Sequence, residues 1–235
     1  MESRKVAIIT GGSQGIGAGL VDAFRGIGYA VVANSRSIEA SQDPDVITVA
    51  GDISDPAVAE KVVATALEEF GRIDTLVNNA GIFVAKPFTE YTQEDYDNVL
   101  QVNVGGFFHI TQKAITQMVE QGTGHVVNVT TTLVEYANSN VPSALASLTK
   151  GGLSSVTKSL AIEYAGRGIR VNAVSPGIIE TPMHPEETHD WLAGLHPVGR
   201  IGTIDDVTRG VLYLEQAPFV TGEFLHIDGG QSAGN

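Results

Sequence analysis

The sequence predicts an α/β protein built on one parallel sheet of about seven strands, doubly wound, with helices covering both faces in a three-layer α/β/α arrangement. Two observations carry this prediction. Short Val- and Ile-rich runs recur along the whole chain, and most are near-continuously apolar, as strands buried on both faces must be. Longer amphipathic stretches separate these runs, the alternation that builds right-handed β-α-β crossovers.

The strand signals are Val6–Thr10, Ala30–Ala33, Val46–Val49, Thr75–Asn78, His125–Val129, Arg170–Val174 and Phe224–Ile227. Between the first two, Ile16, Leu20, Phe24 and Ile27 fall three or four residues apart and make one helical apolar face. Ala57–Phe70 and Gln93–Met118 carry the same period, and Ser143–Ala165 is the longest run of small and apolar residues with helical character. Pro182–Pro197 contains three prolines and three histidines and interrupts the alternation. It reads as a loop or short-helix insertion lying over a site, so a substrate loop is expected around 182–200. No repeat or low-complexity linker divides the chain, and one domain over 1–235 is expected.

Composition narrows the function classes. The 235 residues are 43% hydrophobic and 17% charged, enough apolar material for a sizeable core. A formal net charge of −13 opposes binding to nucleic acid, which needs an excess of Lys and Arg. The absence of cysteine removes disulfides, thiolate nucleophiles and Cys-ligated metals. The N-terminal residues carry no long apolar stretch, and no apolar run reaches membrane length, so a soluble cytoplasmic protein without membrane partners is expected.

The most informative segment is Thr10-Gly11-Gly12-Ser13-Gln14-Gly15-Ile16-Gly17, which follows the first strand and opens the first helix. Glycine lets backbone approach a diphosphate closely and lets helix pack on strand. The helix N-terminus adds free N–H groups and a partial positive charge. A dinucleotide cradle of the Rossmann type follows from this strand–turn–helix context. At the end of the second strand stand Ser35 and Arg36. An acidic side chain there would bond the ribose 2′-hydroxyl of NAD, whereas a guanidinium binds a 2′-phosphate. NADP(H) is therefore the expected cofactor, with NAD(H) as the alternative.

The spacing Gly-x-x-x-Gly-x-Gly resembles that of the classical short-chain dehydrogenase/reductase family, and the resemblance runs through the chain. Asn78-Asn79-Ala80-Gly81 matches the motif after the fourth strand, and Asn103 matches the helix asparagine. Ser175-Pro176-Gly177 with Thr181, and Thr221-Gly222-Glu223 with Asp228-Gly229-Gly230, match the later motifs. The resemblance implies that Gly11, Gly15, Ile16 and Gly17 lie at the pyrophosphate, and that Ser13 and Gln14 of the same turn also contact the cofactor. Asp52 and Ile53 would bracket the adenine, and Asn79, Ala80 and Gly81 would line the adenosine ribose. Pro176, Gly177, Ile179 and Thr181 would meet the nicotinamide side, and Lys150 the ribose hydroxyls. Asp52 also reads as part of a helix start with Ser54-Asp55-Pro56.

Family chemistry couples hydride transfer between a carbonyl and an alcohol to proton transfer from a tyrosine four residues before the motif lysine. Here Lys150 fits the lysine, and Ala146 stands at the tyrosine position. Thr131, within Thr130-Thr131-Thr132, replaces the serine that would hold the substrate oxygen, and Asn103 would support a water relay. Three readings stay open. A substitute donor acts (Tyr136, a pocket histidine, or water held by Lys150 and Asn103), or the protein binds cofactor without turnover, or another tyrosine reaches Lys150. His184, His189 and His196 lack the i, i+4 spacing of a zinc motif, so no metal is expected. Ser175 lacks the setting of a hydrolase nucleophile, and Asp22 and Glu60 read as solvated helix-face charges. The resemblance also implies a homo-oligomer, tetramer or dimer, assembled through the long helices and the C-terminal strand.

Overall fold

The computed structural model describes residues 4–234. Seven parallel strands form one sheet: β1 (Val6–Thr10), β2 (Ala30–Ser35), β3 (Val46–Ala50), β4 (Thr75–Asn78), β5 (Gly124–Val129), β6 (Ile169–Pro176) and β7 (Phe224–Ile227). Their order is β3-β2-β1-β4-β5-β6-β7. All seven predicted strands are present, several of them one to three residues longer than their apolar runs.

The helices are α1 (Gly15–Gly26), α2 (Pro56–Phe70), α3 (Gln93–Leu100), α4 (Phe107–Gln121), α5 (Ala144–Tyr164), α6 (His189–Ala193) and α7 (Ile204–Gln216). Successive side chains of a strand point to opposite faces, and the core divides accordingly. Val6 and Ile8 of β1 join the cluster formed with α2, α4 and α5, whereas Ala7 and Ile9 join the one formed with α1 and α7. This is the three-layer arrangement expected. No helix among the described residues is long and apolar enough to cross a membrane.

Two expectations about helices need correction. Gln93–Met118 is not one helix: a π-helical turn, Gln101–Gly106, separates α3 from α4. The extra backbone width of such a turn sets the buried Asn103 where its carboxamide bonds the backbone of Ile82. The helix α7 was not among the predicted elements. Its start is written in the sequence as a capping box: Thr203 Oγ1 accepts from the Asp206 N–H, and the Asp206 carboxylate accepts from the Thr203 N–H. At α2 the cap is Asp55, whose carboxylate accepts from the Ala57 N–H. Asp52 instead folds the preceding turn by accepting from the amide and hydroxyl of Ser54.

Candidate active site

The chain leaves β1 toward β2 on one side and later returns to β4 on the other. The C-terminal ends of β1 and β4 therefore part, and a crevice opens between the loops that follow them. Thr10 fixes its base: its hydroxyl accepts from the amides of Asn79 (3.1 Å) and Ala80 (3.0 Å) and donates to the Val77 carbonyl. Asn79 returns the connection, donating its carboxamide to the carbonyls of Thr10 and Gly11.

The β1–α1 turn is held open by glycine for two separate reasons. Gly11 has φ +68°, and a Cβ there would lie 2.8 Å from Asn79 Nδ2. A Cβ on Gly17 would lie 2.0 Å from the Gly11 carbonyl oxygen, so no side chain fits where α1 starts against the turn. No side chain caps α1 at Gln14, which leaves the amides of its first turn facing the crevice with their partial positive charge.

Above the turn is a cavity of about 560 Å³, within the range that holds small molecules and cofactors. It brings together nearly every residue singled out from the sequence. Gly11, Ser13, Gln14, Gly15, Ile16 and Gly17 line one end with Ser35, Arg36, Asp52 and Ile53. Asn79, Ala80 and Gly81 line the middle, and Thr131, Ala146, Lys150, Pro176, Gly177, Ile179 and Thr181 the other end. Asn103 is the exception. It does not line the cavity but lies behind Gly81, with Oδ1 accepting from the Ile82 N–H and Nδ2 donating to the Ile82 carbonyl and to Thr149 Oγ1.

Charge at the two ends differs in kind. At the β2 end the Ser13 and Ser35 hydroxyls share a hydrogen bond of 2.9 Å, and exposed Arg36 stands beside them with no ion pair among the described residues. At the other end Lys150 donates from Nζ to the Val129 carbonyl at 2.8 Å and meets no carboxylate among the described residues. Burial pushes its ammonium down to about 8, close enough to neutrality for proton exchange. A Cβ on Gly81 would lie 3.0 Å from Lys150 Nζ, so the glycine there keeps the amine's position clear.

The three threonines after β5 separate by their partners. Thr130 donates to the Val174 carbonyl, and Thr132 bonds the Pro176 carbonyl and Gln231. Among the described residues Thr131 only accepts, from the Leu133 N–H at 3.4 Å, and its proton finds no acceptor there. Ala146 is buried at the cavity wall and presents a methyl group.

Among the histidines, His184 lines the cavity and donates Nδ1–H to the Ile179 carbonyl. His189 bonds the His184 carbonyl, and buried His196 accepts from the Ile178 N–H. Tyr136 lies outside the cavity lining. Several wall residues were not singled out from the sequence: Asn34, Phe83, Val141, Met183, Trp191 and Leu192. For the five apolar ones the only signal was membership of the predicted substrate loop or of loops flanking the motifs, because apolar side chains on loops carry no period; Asn34 is a buried polar residue within β2.

The chain matches a family model described as Enoyl-(Acyl carrier protein) reductase over residues 11–232. It is 38% identical to a Thermotoga maritima 3-oxoacyl-[acyl-carrier-protein] reductase, covering 96% of this chain and 97% of that protein. It is 35% identical to a Thauera aromatica (2S)-[(R)-hydroxy(phenyl)methyl]succinyl-CoA dehydrogenase subunit, over 97% of this chain and 96% of that one. Among solved structures it superposes on ElxO with NADP bound, with TM-score 0.92 and 30% identity over 98% of this chain and all of that one. It also superposes on a Brucella melitensis 3-ketoacyl-(acyl-carrier-protein) reductase complexed with NADH, with TM-score 0.90 and 35% identity over 97% and 98% of the two chains. With its parallel sheet, glycine turn and crevice, the chain belongs to the classical short-chain dehydrogenase/reductase family of oxidoreductases.

Proposed function

We propose that the protein is an NADP(H)-dependent oxidoreductase that interconverts a carbonyl and an alcohol without a tyrosine proton donor. The observation that carries this reading is one cavity lined by an uncapped helix N-terminus, an unpaired Arg36, Thr131 with a free hydroxyl proton, and Lys150 with a lowered pKa. A glycine turn that no Cβ could enter suits a diphosphate, and Arg36, in no ion pair among the described residues, suits a 2′-phosphate at the end of β2. A bound nicotinamide dinucleotide would supply or accept the hydride.

The chain's own residues have the remaining tasks. Thr131 donates to the substrate oxygen and orients it. Lys150, still mostly protonated at neutral pH, passes a proton toward that oxygen directly or through one water. Asn103, with both ends of its carboxamide engaged, positions the Ile82 backbone rather than holding that water. In this reading the chain is one domain in which residues 182–200 act as the substrate loop. Exposed Phe108 on α4 and Leu148 and Ile162 on α5 support a homo-oligomer, tetramer or dimer, through the long helices.

A second reading, a dinucleotide binder without turnover, is favoured by the Ala146 methyl at the tyrosine position. Two measurements separate them: NADPH titration by fluorescence, then a panel of carbonyl compounds scored for NADPH consumption. Turnover by wild type, raised by Ala146→Tyr, supports the oxidoreductase. Tight NADPH binding with no turnover in either protein supports the binder, and no nucleotide binding at all sinks both.

A further inference from the structure

The turn after β7 sends one side chain back into the cavity. The Asp228 carboxylate accepts from the amides of Gly230 (3.0 Å) and Ser232 (2.8 Å), and its carbonyl accepts from the Gln231 N–H at 3.1 Å. Gly229 and Gly230 take φ of +60° and +89°, which lets the chain fold back this tightly. Gln231 is thereby fixed as a lining residue of the cavity, only 4% exposed.

Its carboxamide is half engaged. One end bonds Thr132 Oγ1 at 3.0 Å, and the other has no partner among the described residues. No enclosed side-chain nitrogen or oxygen among the described residues lacks a partner, so the unpaired end reaches open space. For a residue this buried in the cavity wall, that space is the cavity. Thr132 has one hydroxyl proton and a second acceptor, the Pro176 carbonyl at 3.3 Å. With the proton on the Gln231 side, Oε1 takes it and Nε2 faces the cavity as a donor. With the proton on the Pro176 side, Thr132 accepts from Nε2 and Oε1 faces the cavity as an acceptor. A hydroxyl satisfies either arrangement, because it both donates and accepts, whereas a second carbonyl oxygen satisfies only the first.

The neighbouring groups suit a ligand with more than one oxygen. Thr131, next to Thr132 in the chain, has its own proton open for the reacting oxygen. Asn140 and His184 line the same cavity, and His184 gives Nδ1–H to the Ile179 carbonyl while its Nε2 has no partner among the described residues. Leu133, Val141, Trp191 and Leu192 are left to cover a carbon skeleton.

We infer that Gln231 is a specificity-determining residue, and that the substrate is a hydroxy-carbonyl compound (a diol in the oxidative direction) whose second oxygen is held by the Gln231 carboxamide. Discrimination arises because a ligand without that hydroxyl leaves a buried amide end unpaired and cut off from water. The inference rests on the carbonyl–alcohol reading of the site.

The test uses a panel of α- and β-hydroxyketones, each against the ketone of the same skeleton, benzoin against deoxybenzoin among them. Binding is measured by calorimetry on the protein alone and with saturating NADPH, and turnover by NADPH consumption. The hydroxyketone of a pair is expected to bind about three- to tenfold more tightly than its counterpart. In Gln231→Met, of similar length but without hydrogen-bonding groups, that ratio should fall to about one, with NADPH affinity and the thermal midpoint kept. Gln231→Glu, which still accepts from a hydroxyl, should retain part of the preference. Equal binding within every pair overturns the inference. So does a preference that survives Gln231→Met, or failure of the whole panel to bind while NADPH binds. A hydroxyl preference without NADPH binding or consumption would instead remove the oxidoreductase reading and leave the role of Gln231 standing.

Discussion

The two ends of the sheet treat their polar groups in opposite ways. At the N-terminal ends of the strands, Glu215 from α7 accepts from Tyr29 Oη (2.7 Å), Thr75 Oγ1 (2.8 Å) and His125 Nδ1 (2.7 Å). His125 Nε2 accepts from Asn172, and Arg170 donates to the carbonyls of Leu214, Glu215 and Val220. Every group there has a partner. At the C-terminal ends, Arg36, Thr131 and the first turn of α1 hold donors that nothing in the described chain accepts. A satisfied buried network holds a fold together, while donors left open beside a cavity wait for a ligand.

The strongest way to break this comparison is Glu215→Ala. It strands three donors and should lower stability to urea by about 3–5 kcal/mol. NADPH affinity of the folded variant should change by no more than about twofold, because the sites are distant. A large loss of affinity at full stability would show that the two ends are not separate.

Arg36→Ala should do the reverse. Stability stays, and NADPH binding weakens by about 1.5–3 kcal/mol, the worth of a charge-assisted bond. NADH should be far less affected, and equal losses in parallel titrations would withdraw the 2′-phosphate from Arg36.

Acid should act on the N-terminal end. Burial alone would raise the pKa of Glu215, but hydrogen bonds from His125, Tyr29 and Thr75 outweigh it and hold the carboxyl at about 2. Its folded pKa lies below the unfolded value, so its contribution is present above about 4.5 and is lost as pH falls toward 2. Burial likewise keeps His125 neutral, which costs stability once the pH drops below 6.5 and the unfolded chain takes up the proton first. Thermal denaturation should therefore show a midpoint that falls from neutral pH downward. A flat midpoint through that range would mean the network is not ionised as described.

The smallest effects should come from adjacent threonines. Thr130→Val removes a donor to Val174 and should cost about 1 kcal/mol of stability with kcat/KM kept. Thr131→Val should leave stability unchanged and lower kcat/KM. An exchange of these outcomes would move the substrate oxygen to Thr130.

The strands were legible because each is a short run of Val and Ile bounded by polar or glycine residues, and a doubly buried strand has few other ways to be written. The glycine turn was legible because Gly11 and Gly17 serve backbone contacts that admit no side chain. Helix α7 was missed although Thr203 and Asp206 spell its cap, since its apolar residues pack as an ordinary amphipathic face and no family motif drew attention to it. Asn103 was found as a residue but not in its place, because a π-turn depends on how α3 and α4 dock and not on local propensity.

The order of apolar runs and glycines along the chain thus determined the sheet, its winding and the location of the crevice, each being a matter of period and of backbone freedom. Tertiary structure decided which hydroxyl among three threonines leaves its proton uncommitted among the described residues, how far burial lowers Lys150, and which side chains meet around the cavity. Those properties arise from groups far apart in sequence that meet only when the sheet brings its loops to one edge.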